Sequence, residues 1–143
     1  MGLTLKPFGF LKIYPGLTSQ TPGPLAFRSA TRLDSATWEN EPFGAAKFLF
    51  GMGSYLHGES GAAQVNIRAA LQTEDGVRFY LDYIGRCDMP SHSAGQTPVI
   101  MAGQIEIDPA NEKYAWLNRT QVVGRGMLTH DPICQSYEMY VLV

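Results

Sequence analysis

The residues best placed by type and spacing to do chemistry are Arg68, Tyr80 and Asp82. They flank Thr73-Glu74-Asp75-Gly76, the signature of a type I turn with Gly76 in a left-handed bulge position. A hairpin built on that turn pairs Thr73 with Val77, Leu71 with Phe79, Ala69 with Leu81 and Ile67 with Tyr83. Its other face pairs Gln72 with Arg78, Ala70 with Tyr80, Arg68 with Asp82 and Asn66 with Ile84, because side chains alternate strictly along each strand. One face is then apolar, and the other sets a guanidinium against a carboxylate beside a phenol. Turned toward a cavity, Arg68 would bind an anionic or carbonyl oxygen, Asp82 would hold it or act as a base, and Tyr80 would donate a proton. Turned toward water, the same pair is a cross-strand ion pair worth roughly 0.2–1 kcal/mol.

His57 is the next candidate. It lies in Gly53-Ser54-Tyr55-Leu56-His57-Gly58-Glu59-Ser60, a glycine-bracketed strand end. A histidine beside a glutamate at such a place is either a general acid or base or an exposed turn residue. His92 and His130 lie in loop-like segments far from it, and His130-Asp131-Pro132 reads as turn chemistry. The three histidines show no HxH, HxxxH or Cys–His spacing, so no protein-bound metal is expected. Gly51-Met52-Gly53 and Gly124-Arg125-Gly126 lack the strand-to-helix context of a phosphate loop, and no GxSxG elbow is present. Cys87, between Arg86 and Asp88, is a poor prospect as a nucleophile.

Lys113 to Gly126 reads as a strand ending on two glycines. On a strand, Tyr114, Trp116, Asn118, Thr120 and Val122 share one face. Trp116 with Asn118 offers either a stacking surface beside an amide, suited to an aromatic or carbonyl-bearing ligand, or a core indole with a structural amide.

The elements that must position these residues are short. Strands are expected at Phe8–Tyr14, Leu25–Leu33, Gly44–Phe50, Gln64–Gln72, Val77–Ile84, Val99–Ile107, Tyr114–Val123 and Gln135–Val143. Fifteen Gly and nine Pro punctuate the chain, and no apolar 3.6 period lasts three turns. Loops are expected at Thr18–Pro24 and Asp88–Pro98, a turn at Asp108–Glu112, and a short helix from Asp34 or Ser35 to Pro42. The 143 residues suit one domain, residues 1–143, with a core that needs no staples.

Hydrophobic content of 45%, charged content of 17% and a formal charge of −2 fit a globular chain with no footprint for nucleic acid or an anionic membrane. No apolar run approaches the roughly 20 residues needed to span a bilayer. The apolar stretch Phe8 to Tyr14 is broken by Gly9 and Lys12 and is no secretory signal. A cytoplasmic location follows as the expectation, with Cys87 and Cys134 as reduced thiols and the Asn118-Arg119-Thr120 triplet a chance match to a glycosylation site.

Tyr114-Ala115-Trp116-Leu117-Asn118-Arg119-Thr120, followed by Val122-Val123-Gly124 and Gly126, resembles the late strand of the domain-of-unknown-function family 3237. Ile67-Arg68 through Thr73-Glu74-Asp75-Gly76 to Phe79-Tyr80 and Gly85 is similar to that family's hairpin, so that the likeness spans roughly residues 44–143. The resemblance implies a small antiparallel barrel, lipocalin-like in shape, with an internal cavity and self-association into a dimer or larger homo-oligomer. It implies no single activity. It does imply a cavity role for Arg68, Tyr80 and Asn118. Where the family tends to Asp-Trp after a Gly-rich segment, this chain has Ser54-Tyr55, and where the family has an acid two residues before the hairpin Arg, it has Asn66. Asp82 is not typical of the family at its position. The first forty residues match weakly and leave Arg28, Arg32, Asp34 and Trp38 unplaced.

The expectation is therefore an all-β antiparallel barrel of about eight to ten strands. Its expected role is proton-transfer chemistry of isomerase, cyclase or lyase type, without cofactor, on a hydrophobic cyclic or aromatic carbonyl compound. Arg68, Tyr80, Asp82 and His57 would be catalytic, and Asn118, Trp116, Tyr55 and Asn66 would contact substrate. The alternatives are a barrel that binds such a ligand without chemistry, and a purely structural, self-associating barrel.

Overall fold

The computed structural model of the chain describes residues 2–58, 60–88, 96–130 and 132–143. Eight antiparallel strands follow one another around a closed barrel: β1 (Leu5–Pro22), β2 (Phe27–Asn40), β3 (Gly44–His57), β4 (Ala62–Gln72), β5 (Arg78–Asp88), β6 (Gln96–Ile107), β7 (Gln121–His130) and β8 (Ile133–Leu142). β8 returns to pair with β1, so no sheet edge is left open. A barrel of eight strands has an interior just wide enough to be filled by side chains or to hold one small ligand. This chain does both, at opposite ends.

The β4–β5 hairpin has the register that its turn dictates. Ile67 faces Tyr83, Arg68 faces Asp82 and Leu71 faces Phe79. Gly76 takes φ +89°, and its N–H donates to the Thr73 carbonyl at 3.0 Å, while the Thr73 N–H donates to the Val77 carbonyl at 2.8 Å. Two other local expectations are corrected. Asp34 to Pro42 is no helix: Asp34 to Asn40 is the second half of β2, with Ala36 and Trp38 buried, and Glu41 and Pro42 begin the turn to β3. Its ladders with β1 and β3 override the capping signals of Asp34 and Pro42. Residues 18–22 likewise belong to β1 rather than to a loop, and the turn is confined to 23–26. Of the expected loop Asp88–Pro98, Asp88 closes β5 and Gln96 opens β6. Residues 89–95, with His92, lie outside the described residues.

The expected strand from Tyr114 is also corrected. A 3-10 turn occupies Ala115–Arg119, and β7 begins only at Gln121. The buried residues here are Tyr114 and Leu117, three apart, which is the 3-10 repeat rather than the period of two. Trp116 and Asn118 therefore do not share a strand face. The turn at Asp108–Asn111 starts the segment, with the Asn111 N–H donating to the Asp108 carbonyl at 3.0 Å.

This 3-10 turn plugs one end of the barrel. Phe8, Trp38, Phe43, Phe79 and Tyr114 pack beneath it edge to face or stacked, with Phe43 and Phe79 centroids 4.7 Å apart. The plug is tied to the β4–β5 turn. Tyr114 donates its hydroxyl to Asp75 Oδ1 at 2.7 Å, with the Pro42 carbonyl 2.8 Å from the same phenol oxygen, and Lys113 Nζ reaches Asp75 Oδ2 at 3.2 Å. Hydrogen bonds from Thr73 and Tyr114, with Lys113 beside them, hold the Asp75 carboxyl well below its ordinary pKa. A bulge in β1 at Gly9 (φ +81°) turns the Phe8 carbonyl inward to accept from Trp38 Nε1 at 2.9 Å. The indole is thus satisfied while fully buried.

Candidate functional site

The opposite end of the barrel holds a cavity of about 340 Å³, within the size range of small-molecule sites. Its walls come from the second halves of β1, β3 and β7 and the first halves of β2, β4 and β8. Leu33, Val65, Ile67, Leu128 and Ile133 supply apolar surface, and Gly53 leaves room where a larger residue would fill it. Ser29, Thr31, Tyr55, His57, His130 and Gln135 are among the residues that supply polar groups, with Thr18, Gln20 and Ser54 beside them. No Lys, Arg, Asp or Glu lines the cavity among the described residues.

Two polar arrangements are built into it. The first is Tyr55 and His57, two apart on β3 and so on one face, with ring centroids 6.0 Å apart. The His57 ring stacks on Phe27 at 5.4 Å, and its Nε2 lies 3.4 Å from Gln20 Nε2. The half-buried Tyr55 hydroxyl lies 3.3 Å from Cys87 Sγ. Burial, then the Cys87 thiol beside it, pushes the phenol well above its ordinary pKa, and burial also pushes the Cys87 thiol up. Tyr55 therefore stays a neutral O–H at neutral pH. The second arrangement is Gln135, only 4% exposed. Its Oε1 accepts from the Tyr83 hydroxyl at 2.7 Å and from the Tyr137 hydroxyl at 2.9 Å. Tyr83 comes from β5 and Gln135 from β8, strands with two others between them, so this bond crosses the lumen and bars it beneath the cavity. Burial raises the pKa of both phenols, which keeps them as donors.

Most sequence candidates lie elsewhere. Arg68, Tyr80 and Asp82 stand on the outer face, with Arg68 Nε 3.6 Å from Asp82 Oδ2 and the two side chains 73% and 42% exposed. The hairpin register was legible, but its apolar face is the one turned inward, so the cavity position expected for this trio is corrected. Asn66, between Ser54 and Ile84, alternates with the inward Val65 and Ile67 and so joins that outer face. Asn118 sits at the plug, where its amide is committed to one peptide group. Oδ1 accepts from the Ile107 N–H at 2.9 Å, and Nδ2 donates to the Ile107 carbonyl at 2.8 Å. Trp116 packs edge-on against Phe8 at 6.0 Å, at the same closed end. Of the candidates, only Tyr55 and His57 are brought to the cavity.

Sequence reasoning missed Gln135, Ser29, Thr31 and His130. Gln135 did leave a signal. It interrupts the inward series Ile133, Gln135, Tyr137, Met139, Val141 on β8, a polar residue where the alternation calls for an apolar one. His130 read as turn chemistry but ends β7 with its side chain on the cavity.

A closed eight-stranded antiparallel barrel, plugged at one end and hollow at the other, defines the class as a small all-β barrel with a cavity at one end. The family model described as "Protein of unknown function (DUF3237)" matches residues 3–142, and the chain belongs to that family. The fold is shared with a conserved protein of unknown function from Rhodopseudomonas palustris (TM-score 0.86, 13% identity, covering 100% of this chain and 99% of that one). It is also shared with a beta-barrel like protein from Acinetobacter baumannii (TM-score 0.81, 21% identity, covering 100% and 98%). An enzyme from Penicillium herquei has the same fold at greater distance (TM-score 0.70, 16% identity, covering 99% and 94%). No functionally curated protein matches the chain. Among the described residues, no helix is long and apolar enough to cross a membrane.

Proposed function

We propose that this barrel is an enzyme that moves a proton on a neutral, largely hydrophobic carbonyl compound held in the open-end cavity. One observation carries the reading. An imidazole and a neutral phenol stand side by side on the wall of an otherwise mainly apolar, uncharged cavity of about 340 Å³. An uncharged lining favours a neutral ligand, because a buried ion would have no opposite charge to offset its desolvation. Histidine is the residue type suited to taking up and returning a proton near neutral pH. The Tyr55 hydroxyl, which burial keeps protonated, is suited to donate to oxygen. Removal of a proton next to a carbonyl by His57, and its return at another position, is isomerisation. The same pair could serve a cyclisation or the addition and elimination of water. That a fold relative is an enzyme supports looking for turnover as well as binding.

The test is exchange of the α-protons of 1-tetralone in D2O, followed by NMR with wild type, His57→Gln and Tyr55→Phe. Wild type is expected to speed exchange, and His57→Gln to remove about 10²-fold of the acceleration, the usual share of a general base. Binding without accelerated exchange would instead make the barrel a non-catalytic carrier of such ligands. Acceleration unchanged in His57→Gln would refute the assignment of the base.

A further inference from the structure

Arg68, expected from the sequence to bind a substrate oxygen, and Asn118, expected to contact substrate, do not reach the cavity, one being exposed outside and the other bonded to Ile107. Resting on the cavity reading above, we infer that Gln135 is the oxygen-binding donor of this site, and that ligands enter with a carbonyl or enol oxygen pointing to the barred floor. Three observations carry this. Gln135 is buried, yet lines the cavity. Its carbonyl is engaged by two phenol donors, while its Nε2 makes no hydrogen bond among the described residues. Both contacts, at 2.7 Å to Tyr83 and 2.9 Å to Tyr137, also have lengths that O–H···O hydrogen bonds take. The amide orientation is therefore set by Tyr83 and Tyr137, and its N–H groups are left for the cavity.

The arrangement does more than fix direction. Donation of two hydroxyls to the amide oxygen draws charge from its nitrogen, so the N–H becomes a stronger donor, a cooperative effect of linked hydrogen bonds. The donor is preorganised, since Tyr83 and Tyr137 are 1% exposed and their rings pack at 5.6 Å, and it needs no reorientation when charge develops on a bound oxygen. A neutral amide also selects among oxygens. It suits ketones, lactones and enols, whereas a carboxylate would arrive at the floor with no cation to meet it.

The experiment measures 1-tetralone and its hydrocarbon counterpart, tetralin, by calorimetry and, for the ketone, by the infrared C=O stretch of the bound ligand. Proteins compared are wild type, Gln135→Met, Tyr137→Phe and Tyr55→Phe. Wild type is expected to bind the ketone about threefold to tenfold more tightly than the hydrocarbon, the size of one net hydrogen bond. It should also lower the C=O frequency relative to the ketone in hexane. Gln135→Met should abolish both the preference and the frequency shift while still binding tetralin. Tyr137→Phe, which keeps the amide but removes one donor to it, should bind the ketone with a smaller shift, and this holds the test open if Gln135→Met does not fold. Equal binding of ketone and hydrocarbon by wild type would overturn the Gln135 assignment and leave the cavity reading standing. So would a frequency shift lost in Tyr55→Phe but kept in Gln135→Met. Failure of wild type to bind either compound would overturn both.

Discussion

Two glycines on the inner face of the barrel give the same substitution opposite signs. A methyl placed on Gly53 would lie 2.7 Å from Ile67 Cδ1, the far end of a flexible side chain that itself borders the cavity, and 3.9 Å from Leu33 Cδ2. Ile67 can move into empty space, so Gly53→Ala relieves the strand of a glycine, worth about 0.5–1 kcal/mol. It also buries a methyl, worth about 0.8 kcal/mol, from which the displacement of Ile67 subtracts a part. The net is a gain of about 1 kcal/mol, or about 3 °C in Tm for a chain of this size. A methyl on Gly126 would overlap the Ser136 carbonyl oxygen and lie 2.9 Å from Tyr137 Cα. Both are backbone atoms of the paired strand, so β8 itself must shift and its ladder with β7 loosen. Overpacking of this kind costs about 1–3 kcal/mol, and Gly126→Ala should lower Tm by about 6 °C. Thermal unfolding followed by circular dichroism reads both variants in one afternoon. A stabilised Gly126→Ala, or a Gly53→Ala that unfolds earlier than wild type, would refute the placing of the hollow end at Gly53 and of the close wall at Gly126.

Asp75 should show its role in acid. A carboxylate whose pKa is depressed by folding stabilises the fold above its ordinary value of 3.8, and the contribution is lost as pH falls below that. Asp75→Asn should therefore unfold at lower temperature than wild type at pH 7, with the gap closing below about pH 4 in a Tm-versus-pH series. A gap that is constant with pH would mean that the carboxylate charge contributes nothing. Asn118→Leu leaves the Ile107 N–H and carbonyl without partners and should cost about 1–3 kcal/mol in urea unfolding, with ketone binding at the far end unchanged. Arg68→Ala breaks an exposed ion pair and should change stability by less than about 1 kcal/mol, again without effect on binding. Loss of binding in Arg68→Ala would return the polar face of the hairpin to the site.

Much of the wall was legible because a strand writes its own pattern. The β4–β5 register followed from the turn residues Thr73 to Gly76 and from alternation alone, and every pair counted outward from it is present. The failures share one cause. At Asp34 to Pro42, capping residues mimicked a helix that two flanking ladders do not permit. At Tyr114 to Arg119, an aromatic-rich run mimicked a strand, although its buried pair, Tyr114 and Leu117, is spaced for a 3-10 turn. In both places the local preference was weak and long-range pairing or packing decided.

The stretches that carry the family resemblance, the β4–β5 turn and the Tyr114–Asn118 run, prove to build the plug. Asp75 ties Lys113 and Tyr114 to the β4–β5 turn, and Asn118 closes the end of β6. Such motifs are short-range and dense in turn and aromatic residues, so they are readable in one dimension. The cavity is assembled instead from a few residues on each of six strands, far apart in the chain: Gln20 on β1, Ser29 on β2, Gly53, Tyr55 and His57 on β3, Val65 on β4, His130 on β7 and Gln135 on β8. Sequence alone therefore determined that the chain alternates into a barrel, and where its sharpest turn falls, because those properties depend on neighbours along the chain. Which face of each strand looks inward, which end is filled, and that Tyr83 reaches across the lumen to Gln135 were decided only when the sheet closed. Closure is what brings residues 52 apart in the chain to within a hydrogen bond of one another.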